Sequence, residues 1–150
     1  TEVLRTSKAN KKVKVYVADD NVRRLREMIS SVGSIIEEYD PIAVCAEAMS
    51  FPRNASSAAK MALFWGGLVA VCHERDLPLY SATPQQIKIA VCGNKTATKE
   101  DIAAAITKHA IKPVPMSMAK TKQEHAWDAS AAAVTCMTSD ELRLARKLSA

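Results

Sequence analysis

Five consecutive apolar residues, Ile42-Ala43-Val44-Cys45-Ala46, run directly into a carboxylate, Glu47. A stretch this short, with no polar alternation, reads as a strand covered on both faces, as in a sheet flanked by helices. That requirement selects an α/β layer architecture for the chain around it. Glutamate is almost never fully buried without a partner, so a carboxylate placed where a core strand emerges calls for a chemical reason. A metal ion is the best candidate. Far downstream, Glu124-His125-Ala126-Trp127-Asp128 offers further potential ligands, and a strongly basic stretch lies between. Carboxylates gathered among lysines point to a metal-dependent enzyme acting on nucleic acid.

The neighbouring patterns agree with a layered fold. Val13, Val15 and Val17 alternate with Lys14 and Tyr16 in the period of a half-buried edge or hairpin strand. From Asp20, placed to cap a first turn, Val22, Leu25, Met28, Ile29, Val32, Ile35, Ile36 and Tyr39 fall at helical spacing, and Asp40-Pro41 ends that helix. Asn54 to His73 reads as a helix of small residues, in which Gly66-Gly67 would allow close approach to the sheet. Leu77 to Tyr80 reads as a short strand. Thr83-Pro84-Gln85-Gln86 has the order of a capping box with proline at the first helical position, and Gly93 stops the short helix that follows. Another helix starts at Thr98-Lys99-Glu100-Asp101 and continues to about Lys108. Lys112 to Lys122, with two prolines, reads as a mobile loop, and Gln123 to Met137 as a last, alanine-rich helix. The order is strand, helix, strand, helix, strand, then three helices.

A length of 150 residues suits one domain with a single core. The balance of 21 Lys+Arg against 16 Asp+Glu gives a net charge of +5, which favours a polyanionic partner without identifying it. Cys45, Cys72, Cys92 and Cys136 lie in apolar segments with no CxxC spacing, so they read as reduced, buried thiols rather than a zinc site or disulfide framework. No uninterrupted apolar run approaches the roughly 18 residues of a membrane span, and the start lacks the order of a secretion signal. An intracellular, cytoplasmic protein with no membrane partner is the expectation.

On a helix, His125 and Asp128 share one face at a spacing of three, and Glu124 shares a face with Asp128. Two side chains can then reach one ion. Oxygen ligands favour Mg2+ or Mn2+, and one imidazole shifts preference toward Mn2+ and other transition metals. Two such ions could clamp the attacking and leaving oxygens of a phosphodiester displacement. Between the carboxylates, Lys88, Lys95 and Lys99 surround a glycine turn and a helix start, where backbone donors also favour phosphate.

Taken together, Glu47, Asn54, Ser57, Lys60, Gly66-Gly67, the block Pro84-x-x-Ile-Lys-x-x-Val-x-Gly93-x-x-x-Ala-x-Lys99, and His125-x-x-Asp128-Ala129 resemble the RuvC-type Holliday-junction resolvases. The resemblance spans roughly residues 13 to 137, and its order and spacing are jointly more specific than any single piece. It implies a ribonuclease-H-like mixed sheet flanked by helices, a homodimer, and cleavage of four-way DNA junctions by paired nicks with Mg2+ or Mn2+. Carried over by position, Glu47 matches the second catalytic carboxylate, Asp128 the last, and His125 the third, where members carry Asp or His. Lys88 and Lys99 match basic residues of the active-site DNA surface, with Lys95 beside them. Met49 to Asn54 matches a loop near the junction centre, which implies DNA contacts for Phe51, Arg53 and Asn54, with Phe51 stacked on a base, and Lys60 beyond it is a further DNA-binding candidate of the resemblance. Phe64, Trp65 and Leu68, in the helix that the resemblance puts at the dimer interface, are candidates for its apolar contacts.

One departure stands out. The family opens with a strand carrying its first catalytic aspartate in a pattern like Ile-Asp-Pro-Gly, and no such segment occurs in these 150 residues. Asp19 and Asp20 are poor substitutes because they begin a helix. The resemblance therefore implies a single nuclease domain truncated at its start. Two other functions compete: a non-catalytic protein that binds branched DNA, and a related nuclease acting on flaps or hybrids.

Overall fold

A computed structural model of the chain describes residues 4–7, 15–50, 52–109 and 119–148. Along these residues the order is α1 (Val17–Tyr39), β1 (Val44–Glu47), α2 (Ala55–His73), β2 (Leu79–Ala82), α3 (Pro84–Cys92), α4 (Lys99–His109), α5 (Lys120–Met137) and α6 (Asp140–Leu148). The chain divides into two compact units, one holding β1 and everything from Leu79 onward, the other holding Leu4–Ala43 and Met49–Pro78.

In the first unit β1 and β2 pair in parallel, Val44 opposite Leu79 and Glu47 opposite Ala82. The ladder closes with the Ala48 amide donating to the Ala82 carbonyl at 2.8 Å. Parallel strands need a crossover, and α2 lies between them in sequence. The core gathers Ala82, Ile87, Ile102, Ile106, Ala131, Ala132 and Cys136, with Cys45, Tyr80 and Trp127 packed against it. Ala131 and Ala132 are 0% exposed, so nothing larger than a methyl group separates α5 from its neighbours there. Thr83 caps α3 in a complete capping box, and Gly93 ends it in the left-handed region at φ +69. Thr98 and Asp101 cap α4 the same way: the Asp101 amide donates to Thr98 Oγ1 at 3.2 Å, and the Thr98 amide to Asp101 Oδ2 at 2.9 Å. These bonds to Thr98 hold the Asp101 carboxyl below its ordinary pKa.

The second unit is built on α1 packed against α2. Asn54 caps α2, its side-chain oxygen accepting from the Ser57 amide at 3.1 Å. Gly67 is buried because a Cβ there would sit 2.7 Å from Leu25 Cδ1 and 3.0 Å from Ile29 Cδ1. The close approach expected between this glycine pair and the sheet is therefore made instead to α1, while a Cβ on Gly66 would meet nothing within 4 Å. Arg23 pairs with both Asp20 and Glu27, and Glu27 also accepts from the Ser7 amide at 2.8 Å. Asp40, at φ 41, ends α1 where the Asp40-Pro41 pair is expected to.

Several boundaries differ from the sequence reading. The alternation at Val13–Val17 does not make a strand where it is described: Val15 and Tyr16 are exposed and irregular, and Val17 opens α1, while residues 8–14 lie outside the described residues. Helix propagation through Asp19 and Asp20, favoured at a positive helix N-terminus, overrides a short period-two pattern. The apolar run is a strand only over Val44–Glu47, and its residues are half-buried rather than covered on both faces, with Ile42 59% exposed. β2 begins two residues later than Leu77. Helix α5 starts at Lys120, so the tail of the expected loop is helical, and residues 110–118 lie outside the described residues. Helix α6 is a further element, anchored by Leu142, 3% exposed, with its amide donating to Ser139 Oγ at 3.3 Å. Although Ser56, Ser57 and Lys60 interrupt the apolar sequence, α2 with its mean hydropathy of 1.4 is long and apolar enough to cross a membrane by length and composition.

The two glycines that lack neighbours should respond oppositely to alanine. Gly66→Ala should stabilise the protein by about 0.5–1 kcal/mol by raising helix propensity at an open position. Gly93→Ala should destabilise it by about 1–2 kcal/mol because alanine resists the left-handed region. Urea unfolding midpoints at constant m-value check both.

Candidate functional site

Alternation along β1 puts Cys45 and Glu47 on the same face, and Cys45 packs into the core beside Cys136 of α5. On α5, residues 124, 128, 132 and 136 form one row at helical spacing. Helix α5 packs on β1 with Ala132 of that row fully buried, and Asp128 comes to the end of the strand that carries Glu47. The strand's carboxyl end and a helix row thus bring together two carboxylates separated by 81 positions in sequence. Ligand sites of α/β folds form in this place, outside the carboxyl ends of parallel strands.

Glu47 and Asp128 line a cavity of about 370 Å3 together with Pro84, Ile87, Lys88, Ala97, Thr98, Lys99 and Ile102. Lys88 enters from α3 and Lys99 from the first turn of α4, each set in place by its threonine cap. The Glu47 carboxyl is raised above its ordinary pKa, first by desolvation and then by the charge of Asp128, with Lys99 opposing. Glu47 nevertheless remains open to solvent. A carboxylate pair whose mutual repulsion is incompletely offset is chemically suited to a hard divalent cation, which takes oxygen ligands. The Lys99 amine donates to Glu124 Oε2 at 2.9 Å, and Glu124 is the chief cause of its raised pKa, with Asp128 contributing. Burial raises the Cys45 thiol to about 12, aided by Cys136, so it stays neutral in the core.

The positions singled out in sequence separate into distinct groups. Glu47, Asp128, Lys88 and Lys99 share the cavity. His125 is exposed and is not among its lining residues, and no group of three His, Cys, Asp or Glu side chains able to hold a metal occurs among the described residues. The ligand trio Glu47, His125 and Asp128 is therefore not assembled. Seen down the helix, His125 and Glu124 fall on opposite sides of Asp128, about 60° and about 40° away, and the Glu124 side is the one that meets Lys99. Lys95 is exposed in the turn between α3 and α4 and does not line the cavity. Arg53, Asn54 and Lys60 belong to the unit of α1 and α2, where the Asn54 oxygen is engaged in capping; Phe51 lies outside the described residues. Sequence reading offered Glu124 as a ligand, but its carboxylate pairs with Lys99. Thr98 lines the cavity and was read only as a helix start.

Comparison with known proteins gives one family. Residues 6–136 match the family described as crossover junction endodeoxyribonuclease RuvC. The protein of that name from Xylella fastidiosa is 33% identical over 112 residues, 75% of this chain and 61% of the relative. That from Pelodictyon phaeoclathratiforme is 28% identical over 104 residues, covering 69% of this chain and 54% of the relative. The chain thus spans little more than half the length of these relatives. Among solved structures, Thermus thermophilus RuvC in complex with a Holliday junction substrate superimposes with a TM-score of 0.66 at 26% identity, over 82% of this chain and 72% of that one. Another T. thermophilus RuvC structure gives 0.63 at 25%, over 82% and 71%.

The raised Glu47 pKa has a consequence for stability. With a folded-state pKa above the ordinary 4.5, protonated Glu47 is favoured in the native protein, so its stabilising contribution is present in acid and is lost as pH rises through the folded pKa. Glu47→Gln should therefore raise the thermal unfolding midpoint at neutral pH, with the gain vanishing in acid. Melting curves across that range check the sign.

Proposed function

Because the chain belongs to the RuvC family of crossover junction endodeoxyribonucleases, with a mixed α/β, ribonuclease-H-like fold, we propose that it is part of a metal-dependent endonuclease that resolves four-way DNA junctions by paired nicks. The observation that carries this reading is the convergence of Glu47 and Asp128 with Lys88 and Lys99 in one cavity. We read the whole chain as one nuclease domain of an intracellular protein.

The donor chemistry fits Mg2+ or Mn2+: Glu47 and Asp128 would hold the cation through carboxylate oxygens. When bound, a divalent cation lowers the pKa of a coordinated water and neutralises charge on the scissile phosphate. Lys99 and Lys88, carried on helices fixed by their threonine caps, stabilise the negative charge that grows on the phosphate oxygens. His125, exposed on α5 three residues before Asp128 and outside the cavity lining, would take the attacking water's proton through an intervening water rather than ligate the metal. Arg53, Lys60 and Lys95 extend the phosphate contacts, Asn54 offers its amide nitrogen, and Phe51 stacks on a base near the junction centre.

Paired nicks require two active sites, and α2 supports a homodimer. Met61, Leu63 and Val69 are 40%, 36% and 44% exposed on a helix with no polar side chain between Lys60 and His73. An apolar surface of this kind is suited to burial against a second copy.

A labelled four-way junction with Mg2+ or Mn2+ tests the activity, and symmetric nicks are the expected product. Asp128→Asn should lower cleavage about a hundredfold or more, the scale of losing a group that stabilises transition-state charge, while junction affinity stays near wild type. Binding without cuts by the wild-type protein would instead identify an architectural junction binder, and preferential cutting of flaps or hybrids a different nuclease. Light scattering at micromolar concentration should give twice the protomer mass, and a monomer would contradict paired nicking.

A further inference from the structure

We propose that Glu124 is a positioning residue that holds the Lys99 ammonium off the Glu47/Asp128 pair and so keeps those carboxylate oxygens open to a divalent cation. The proposal rests on the reading of Glu47 and Asp128 as the metal pair.

Lys99 and Asp128 each line two adjoining spaces. One, of about 370 Å3, contains Glu47; the other, of about 130 Å3, contains Glu124. Lys99 is thus within reach of both acidic partners. A lysine ammonium is a compact charge on a flexible stem, and it settles on whichever acceptor holds it best. Left to the carboxylate pair, it would act as a resident counter-ion competing with a metal. Its amine instead donates to Glu124 at 2.9 Å, with Lys99 65% and Glu124 36% exposed. The effects on ionisation agree: Glu124 dominates the rise at Lys99, and Lys99 eases but does not abolish the raised state of Glu47. Helical spacing makes the arrangement possible, because Glu124 continues the same row of α5 one turn before Asp128. The ammonium is consequently kept at the rim of the site, where it can meet a phosphate without occupying the cation's oxygens.

The test is Mn2+ binding to the intact protein, followed by electron paramagnetic resonance of the free ion, which needs no DNA and no turnover. Glu124→Gln should weaken Mn2+ binding about threefold, the scale of an exposed ion pair. In a Lys99→Met background, where the Lys99 ammonium is gone, the same substitution should change binding by less than about 1.5-fold, as expected for a screened, exposed charge. Lys99→Arg, which keeps the ion pair, should remain near wild type. An equal effect of Glu124→Gln in both backgrounds, or tighter binding in the Lys99 protein, would overturn the proposal. Asp128→Asn separates the two levels: if it leaves Mn2+ binding unchanged, the metal reading fails and the positioning role with it. If it abolishes binding while Glu124→Gln acts equally in both backgrounds, the positioning role fails alone. Matching circular dichroism spectra establish that each variant is folded.

Discussion

The packing of α5 on β1, with Ala131 and Ala132 fully buried in the core, is the constraint on which the site depends. Both alanines share one core with Cys136 of α5, and Cys45 of β1 packs against it. A larger residue would force the helix outward or the side chains off their rotamers. Asp128 would then move away from Glu47, since both ride on the same rigid pair of elements. Packing in the core is thus the physical cause of the electrostatics at the surface.

Those electrostatics carry a cost to stability. Two carboxylates at a strand end repel, and desolvation adds to the penalty. Folded proteins tolerate such arrangements mainly where function needs them. The threonine caps of α3 and α4 offset part of the strain by fixing the helices that deliver Lys88 and Lys99. Thr98 serves both purposes, capping α4 and lining the cavity.

The unit of α1 and α2 follows a different logic. Its helix pair is locked by Gly67 against Leu25 and Ile29 and by the ion pair of Arg75, just past α2, with Glu37 of α1 at 3.1 Å. Beyond Lys60 the helix carries no polar side chain until His73, and Met61, Leu63 and Val69 stay exposed. Length and composition alone do not separate a core helix, an interface helix and a membrane span.

Elements with a local cause were legible in the sequence: the capping box at Thr83, the stop at Gly93, the Asp40-Pro41 break and the long periodic helices all depend on residues within a turn of one another. The short strand at residues 13–17 was misread where it is described, and α6 was missed, because alternation over five residues and a nine-residue amphipathic pattern are too brief to settle an element without its packing. The sequence by itself determined the residue types of the site, with carboxylates at 47 and 128 and lysines at 88 and 99, because chemistry of this class needs acids beside bases. Only the tertiary structure decided which of them meet. Position around α5, set by 3.6 residues per turn and by the burial of Ala132, turns Asp128 toward Glu47, aligns Glu124 with Lys99 and leaves His125 facing water.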